Sequence, residues 1–267
     1  MVKVIFLIIA TERKPWSNIL RYGPEATWLR KLPENVKVFK IFSDGSKGSS
    51  RYKNSSEVTK NELFQIDNPN ISDTTVVADG NRLLFPGVSG WAGILQTTIS
   101  ALSYVNSNFE FDYVVRTNVS SYWNLKRLLE MLDRAPRNDL YMGVIGKSYI
   151  PKLNAEIEFI SGAGIILSKD VVELILQNRD RIEADFIDDI ALGILARNLN
   201  VKVTDAKRKN IGEISRLICI PLHQLSQEYH FRLRSDFNLL SFRRRKDVYL
   251  MKILHFRLRT ASRKPPR

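Results

Sequence analysis

Residues 112–124 read DYVVRTNVSSYWN, from Asp112 to Asn124, and this stretch carries the strongest signal for the fold. The pattern predicts a buried strand over 111–116 that runs directly into Asn118, Ser120 and Ser121, followed by a helix that begins after Asn124. Small polar side chains at the end of a strand are well placed to meet a ligand. The same residues could equally form an ordinary capped turn between a strand and a helix, so both interpretations stay open.

Predicted strands and helices alternate on both sides of this stretch. Short apolar segments rich in β-branched residues predict strands over 4–10, 36–42, 74–78, 141–145 and 158–167. Apolar residues at helical spacing predict helices over 91–104, 124–132, 170–177 and 187–199. This alternation is typical of an α/β sheet covered by helices, with a ligand bound by loops at the strand ends.

The composition indicates one large globular domain. The chain has 267 residues, of which 44% are hydrophobic, and this fraction is too high for general disorder. Its single cysteine, Cys219, cannot form an internal disulfide, and no Cys/His cluster has zinc-site spacing. The first apolar run, over 4–10, is too short and too β-branched for an export signal. We therefore expect a cytoplasmic protein.

The positive charge is concentrated at the C-terminal end. The formal net charge is +13, and residues 228–267 hold twelve Lys and Arg against three acidic residues. We therefore divide the chain into an α/β body, residues 1–227, and a basic C-terminal segment, residues 228–267, which is either an extension or part of the same domain. Such a segment should meet an anionic partner: a diphosphate, a membrane surface or a nucleic acid.

Two further motifs could carry chemistry. In ISGAGIILS, residues 160–168, two glycines interrupt an apolar strand, which suits either a bend or the close approach of a ligand. In DFIDD, residues 185–189, adjacent carboxylates stand at a predicted helix start. They could be ordinary charges at a helix N-terminus, or one could act as a general base whose charge state its neighbour controls.

In this order the three motifs resemble the GT-A glycosyltransferases, especially the β-1,3-galactosyl/N-acetylglucosaminyl and Fringe-like group. In that group a strand enters Lys-Thr-Asp-Asp-Asp-Val-Phe-Val-Asn, a Ser-Gly-Gly-Gly strand follows, and Glu-Asp-Val precedes a glycine. The matching positions here are RTNVSSYWN over 116–124, SGAG over 161–164, and Asp188-Asp189-Ile190 with Gly193. The resemblance covers roughly residues 75–200.

The resemblance implies a GT-A-like (Rossmann-like) mixed sheet flanked by helices. It also implies an inverting hexosyltransferase that moves a sugar from a nucleotide-diphospho-sugar to a hydroxyl of a glycan or glycolipid. By residue match, Asp189 is the expected catalytic base and Asp188 its acidic neighbour. The expected donor-binding residues are Thr11, Glu12, Arg13, Asp44, Arg116, Asn118 and Ser120. The expected acceptor-binding residues are Gly162, Ala163 and Gly164.

The sequence departs from the group at the metal motif. The group's Asp-x-Asp binds a divalent cation, but Asn118 and Ser120 stand at those positions here. Because hard cations prefer carboxylate oxygens, we expect no metal and no cofactor, with Mn²⁺ or Mg²⁺ as the alternative. Fixed positive charge would then have to stabilise the departing diphosphate. We expect it from Arg232, Arg234, Arg243 and His230.

The C-terminal segment and the function each leave alternatives. Residues 248–258 predict a basic amphipathic helix. This helix either packs on the domain or lies on an anionic membrane. In the second case it would lie at the inner membrane face, where lipid-linked acceptors for polysaccharide biosynthesis would be found. The chain could also be a non-catalytic relative that binds a sugar nucleotide or a glycan. Nucleic-acid binding is disfavoured because no known reader motif occurs.

Overall fold

The structure is a computed structural model that describes residues 1–43, 76–86, 88, 92–235 and 245–261. The strands are β1 (Val4–Ala10), β2 (Val36–Ser43), β3 (Val77–Asp79), β4 (Arg82–Phe85), β5 (Tyr113–Asn118), β6 (Ser121–Trp123), β7 (Tyr141–Ile150), β8 (Ala155–Ser168), β9 (Val203–Asp205), β10 (Lys209–Ile211) and β11 (His230–Leu233). The α-helices are α1 (Trp16–Tyr22), α2 (Ala92–Asn108), α3 (Leu125–Leu132), α4 (Lys169–Gln177), α5 (Asp188–Asn198), α6 (Ile214–Cys219), α7 (Leu222–Gln227) and α8 (Arg245–Ala261). Two 3₁₀ turns cover Pro151–Leu153 and Arg179–Arg181.

The main sheet has eight strands in the order β3-β4-β2-β1-β5-β8-β7-β9. Strands β4, β2, β1 and β5 run parallel, whereas β8 runs antiparallel to both β5 and β7. The predicted mixed α/β sheet flanked by helices is therefore confirmed. The chain leaves β1 for β2 on one side and later returns to β5 on the other, so the strand order switches between β1 and β5. Ligands of such sheets bind at the carboxyl ends of the strands at this point.

Alternation along β1 shows how both faces of the sheet are covered. Phe6 and Ile8 point into a core that includes residues of α1, α3 and α8. Ile5 and Leu7 point into a second core with residues of α2, α4 and α5. Burying each of these side chains contributes about 1.5–3 kcal/mol, which explains why a short apolar run with no polar face forms a central strand.

A small second sheet joins the C-terminal segment to the body. Its order is β10-β11-β6, and His230 of β11 stands opposite Trp123 of β6. The sequence predicted neither β6 nor β11. Asn124 does precede α3, but its side chain makes no capping hydrogen bond to the helix. Its Nδ2 instead donates to the Glu228 carbonyl at 3.2 Å, which corrects the predicted cap and ties α3 to the C-terminal segment.

The pairing of β7 with β8 is irregular at the glycines of β8, which agrees with the bend, one of the two alternatives for this segment. Gly143 of β7 faces Ile165, whereas Ile145 faces Ile160, so residues 161–164 bulge out of the β7 pairing. At the end of the bulge, Gly164 pairs with Thr117 of β5. Residues 161–164 therefore lie beside the carboxyl end of β5.

Helix α8 packs on the domain. Leu250, Met251 and Leu254 are fully buried, and the helix contacts α1, α6 and α7. Arg257 adds polar anchors by donating to the carbonyls of Leu217 and Ile220 at the end of α6. The structure thus shows that the helix over 248–258 packs on the domain, with Tyr249 and Phe256 exposed on its other side. Within the described residues, no helix has the length and apolar character needed to cross a bilayer.

Candidate active site

Residues 161–164 of β8 contact the polar side chains that the sequence predicted as site residues. This segment lies beside the carboxyl end of β5, where successive side chains of β5 point to opposite faces of the sheet. Arg116 points towards α2 and α5, and Thr117 points towards the small sheet. Both side chains donate to β8, Arg116 to the Gly162 carbonyl and Thr117 to the Ala163 carbonyl. The site therefore has two halves that meet at the β8 bulge.

The first half contains a buried ion pair between Arg116 and Asp188. Its two side chains are 6% and 4% exposed, and Thr98 of α2 donates to the same Asp188 carboxylate at 3.0 Å. The bonds to Asp188 and Gly162 hold the Arg116 guanidinium in the interior. The predicted contact between Arg116 and a donor is not supported by this placement. Arg116 and Asp188 instead fix the start of α5 against β8.

Asp189, the next residue, is only partly covered and faces the β8 bulge. Its Oδ2 accepts the Gly162 N–H at 3.0 Å, and its Oδ1 accepts the Ile190 N–H at 3.0 Å. Limited access of water and the neighbouring charge of Asp188 raise the pKa of Asp189 to about 6, against the opposing effect of the Gly162 N–H and Arg116. A carboxylate with this pKa can accept a proton near neutral pH.

The glycines of the bulge make room for the protein's own side chains. A Cβ atom on Gly162 would lie 2.6 Å from Arg116 Nη1 and 3.2 Å from Asp189 Oδ2, and one on Gly164 would collide with the His230 ring. Ala163 is 3% exposed. The predicted acceptor contacts of Gly162, Ala163 and Gly164 are therefore not supported, because other side chains already cover these residues.

Asn118 and Ser120 form a closed turn at the end of β5. The Asn118 Oδ1 accepts from the Ser120 N–H at 3.1 Å, from the Ser120 hydroxyl at 3.0 Å and from the Ser121 hydroxyl at 3.3 Å. Ser120 is buried, whereas Asn118 is partly exposed. The Asn118 amide can therefore still meet a ligand, but its carbonyl oxygen is engaged within the turn.

The second half of the site is basic and lies on the small sheet. The His230 ring stacks on Trp123 with 3.9 Å between ring centroids, and its Nε2 lies 3.3 Å from the Ser121 hydroxyl. Burial, together with the positive charges of Arg208 and Arg232, lowers the pKa of His230 well below its ordinary value. His230 is therefore a neutral imidazole at pH 7, held between two arginines and the β8 bulge.

Arg208 is a site residue that the sequence analysis missed. Its Nη1 donates to the Ser161 hydroxyl at 3.1 Å and its Nε to Asn210 Oδ1 at 3.0 Å. Burial and the neighbouring charge of Arg232 lower its pKa to about 10. The available signal was the run Lys207-Arg208-Lys209, which by itself predicts only a solvated loop.

These residues do not fit a divalent cation. Asn118 and Ser120 bring no carboxylate, and His230 sits in a positive field from Arg208 and Arg232 that opposes a cation. Across residues 1–43, 76–86, 88, 92–235 and 245–261, no group of three or more His, Cys, Asp or Glu is placed to hold a metal ion. The same cluster of cations suits an anion.

The remaining predicted residues have separate positions. Glu12 pairs with Arg82, and both line a cleft of about 400 Å³ with Lys14, Lys40 and Phe42. Thr11 and Arg13 lie beside Glu12 after β1, the Arg13 N–H donating to the Thr11 hydroxyl at 3.2 Å. Arg234 is exposed just after β11. Asp44 and Arg243 lie outside the described residues.

Comparison with known proteins finds distant structural likeness to glycosyltransferases. The glycosyltransferase GlyE of Streptococcus pneumoniae TIGR4, in its apo form, aligns with 100% of this chain and 65% of its own, at 10% identity and a TM-score of 0.40. The galactosyltransferase LgtC, in complex with donor and acceptor sugar analogs, aligns over 94% and 95% of the two chains, at 11% identity and a TM-score of 0.41. This chain thus spans slightly less than two thirds of GlyE. No protein-family model and no curated protein sequence matches it.

Proposed function

We propose that this chain is a GT-A-like glycosyltransferase that moves a sugar from a nucleotide-diphospho-sugar to an acceptor hydroxyl. The observation that carries the proposal is Asp189, a partly covered carboxylate whose pKa is raised to about 6 at the carboxyl edge of the sheet. It faces the β8 bulge beside the carboxyl end of β5, and β5 is one of the two strands that flank the switch point of the sheet. A base and an anion site on the two sides of one bulge are the parts that sugar transfer requires.

Asp189 accepts the proton of the acceptor hydroxyl in this mechanism. The hydroxyl oxygen forms a bond to the anomeric carbon of the donor while the bond from that carbon to the diphosphate oxygen breaks. The nucleoside diphosphate leaves with the electron pair, and attack opposite to it inverts the anomeric centre. Asp188 remains paired to Arg116, so its nearby negative charge keeps Asp189 basic.

The leaving diphosphate is stabilised by Arg208 and Arg232, whereas His230, which is buried and neutral, adds no charge. In the part of the chain that the structure describes, Arg208 has no carboxylate partner; its polar contacts are Ser161 and Asn210. A largely buried guanidinium that only neutral groups contact favours an anion in its vicinity. Charge fixed in place before the reaction can do the work of a cation, so the mechanism includes no metal and no cofactor.

The second candidate function is a protein that binds a nucleotide-sugar without transferring it. The observation that favours it is the closed turn at Asn118, whose carbonyl oxygen is engaged by two serines at the position of the group's metal motif. Both candidates bind the donor, and only the first one turns it over. Release of nucleoside diphosphate in the presence of an acceptor distinguishes them.

A nucleotide-sugar with the correct base should stabilise the chain in EDTA. A ligand at one hundred times its Kd raises the free energy of unfolding by about 2.7 kcal/mol, which a thermal-shift panel of UDP, GDP and dTDP sugars would detect, with a CMP sugar as the monophosphate comparison. Arg208→Gln should abolish most of the shift, while Lys207→Gln, next to it on the exposed side, should keep it. A shift that needs Mn²⁺ would refute the metal-free mechanism, and no shift with any donor would refute the proposed function.

The rate of transfer should rise with pH and level off above about pH 6. Because the pKa of Asp189 is raised, the carboxylate is protonated and inactive as a base below that pH. We expect kcat/KM to fall about tenfold for each pH unit below the pKa. Measuring kcat/KM from acid to neutral pH checks this, and a profile that stays flat into the range of an ordinary aspartate would show that Asp189 is not the titrating base.

A further inference from the structure

The outward face of α8 carries an ordered pattern of aromatic and basic side chains. Tyr249 is 59% exposed and Phe256 is 69% exposed. They are seven positions apart, so they lie on the same side of the helix, two turns apart. Exposed apolar side chains that are grouped on one surface, and not scattered singly, mark surfaces that meet a partner.

Basic residues interleave with these aromatics on the same face. Arg245, Lys252 and Arg259 are exposed, and each stands three or four residues from Tyr249 or Phe256. Over residues 245–261 the sequence has five Lys and Arg but one acidic residue, Asp247. Asp247 is fully buried and accepts from Ser235, so it faces away from this surface.

The buried side of α8 holds this face in a fixed orientation. Leu250, Met251 and Leu254 are fully buried on the opposite side, and Arg257 is bonded to the end of α6. Helices α1, α6 and α7 pack against α8. The face is therefore a rigid feature of the fold.

We propose that this face of α8 binds an anionic lipid bilayer. Aromatic side chains inserted at the headgroup boundary, with cations at the level of the lipid phosphates, are the two components of interfacial binding by an amphipathic helix. The positive charge of the face complements anionic headgroups, and the exposed aromatics supply the apolar contact. The inference concerns where the chain works and does not depend on the proposed transferase activity.

Vesicle flotation of the full chain tests this proposal. We expect binding to vesicles that contain phosphatidylglycerol, weakened by high salt, and little binding to phosphatidylcholine alone. Lys252→Glu should lower the partition coefficient about 25-fold, since each unit of charge near the surface contributes about fivefold and this substitution changes the charge by two units. Tyr249→Ser with Phe256→Ser should lower it about tenfold or more, because apolar contact is lost.

Matched controls come from other surfaces of the chain. Tyr149 of β7 is exposed to 59%, like Tyr249, and Lys202 is exposed in the loop before β9. Tyr149→Ser and Lys202→Glu should leave the partition coefficient unchanged. Equal loss in the controls, or binding that ignores lipid charge, would overturn the proposal. The proposal would also be overturned if the chain bound single-stranded oligonucleotides through Tyr249 and Phe256 but did not bind vesicles. Donor-induced thermal shifts in all these variants keep this test separate from the proposed function.

Discussion

Replacing Asp189 by Asn is expected to lower the rate of sugar transfer by about 10²–10⁴-fold, the usual contribution of a general base. The amide oxygen can still accept the Gly162 N–H, which now meets Asp189 Oδ2 at 3.0 Å, although the bond from the Ile190 N–H to Oδ1 is lost. The start of α5 should stay in place, because the ion pair between Asp188 and Arg116 also holds it. Donor binding should remain within about twofold, since the base contacts the acceptor. Steady-state kinetics and donor thermal shifts on the same preparation separate the two effects.

The same substitution should raise the stability of the fold at neutral pH. The pKa of Asp189 is raised above that of an unfolded aspartate, so the folded state binds a proton more tightly and its ionisation at pH 7 costs stability. Stability from this group is therefore present at low pH and lost as pH rises from about 4 to about 6. Asn removes this cost, and we expect a gain of about 1–2 kcal/mol at pH 7 that disappears in acid.

Asp185 provides the matched control for Asp189. It lies four residues earlier, and its carboxylate contacts Lys152 on the surface at 3.0 Å. Asp185→Asn should change neither the rate of transfer nor its pH dependence. Turnover retained in Asp189→Asn would remove this carboxylate from the mechanism, and equal losses in both variants would indicate a general effect of charge.

The sequence predicted the elements whose residues carry the pattern locally. Apolar periodicity in the sequence predicts strands β1, β2 and β5 and helices α2 to α5, because each of these elements buries a contiguous set of its own apolar side chains. Strands β6 and β11 have three and four residues, and their pairing joins Trp123 to His230 across more than one hundred residues. Such short strands form because they pair with each other and not because their residues strongly favour strand conformation, so the local sequence does not predict them.

The residues of the candidate site also fall into those that the sequence predicted and those that only the structure reveals. Asp188 and Asp189 were found because they are adjacent in sequence and begin a helix. Arg208 was missed because its importance comes from Ser161 and Arg232, which only the fold brings to it. The sequence pattern also could not show why residues 162 and 164 are glycines. In the structure the missing Cβ atoms leave space for the side chains of Arg116 and His230, but a bound ligand would need the same space, so the pattern could not distinguish the two.

Replacing Arg116 by Met is expected to cost about 3–5 kcal/mol of unfolding free energy at neutral pH, the usual cost of leaving one partner of a buried pair without the other. Arg116 is 5% exposed and faces Asp188, which is 3% exposed. Met fills similar volume, so the loss would come from charge. Urea denaturation measures it, and Arg116→Met with Asp188→Asn should recover much of the loss, because no buried charge then remains. As a control, Arg127→Met breaks a surface pair with Glu130 and a hydrogen bond to the Ser226 carbonyl, and it should cost less than the loss of the buried pair.

The Arg116→Met variant should also connect the ion pair to catalysis. Arg116 lowers the pKa of Asp189, so removing its charge should raise that pKa above about 6. Two adjacent carboxylates without a cation would then share a proton, and the rise of kcat/KM with pH should move to higher pH. A pH profile that stays in place while stability falls would mean that Arg116 supports the fold alone and that the charge of Asp189 is controlled elsewhere.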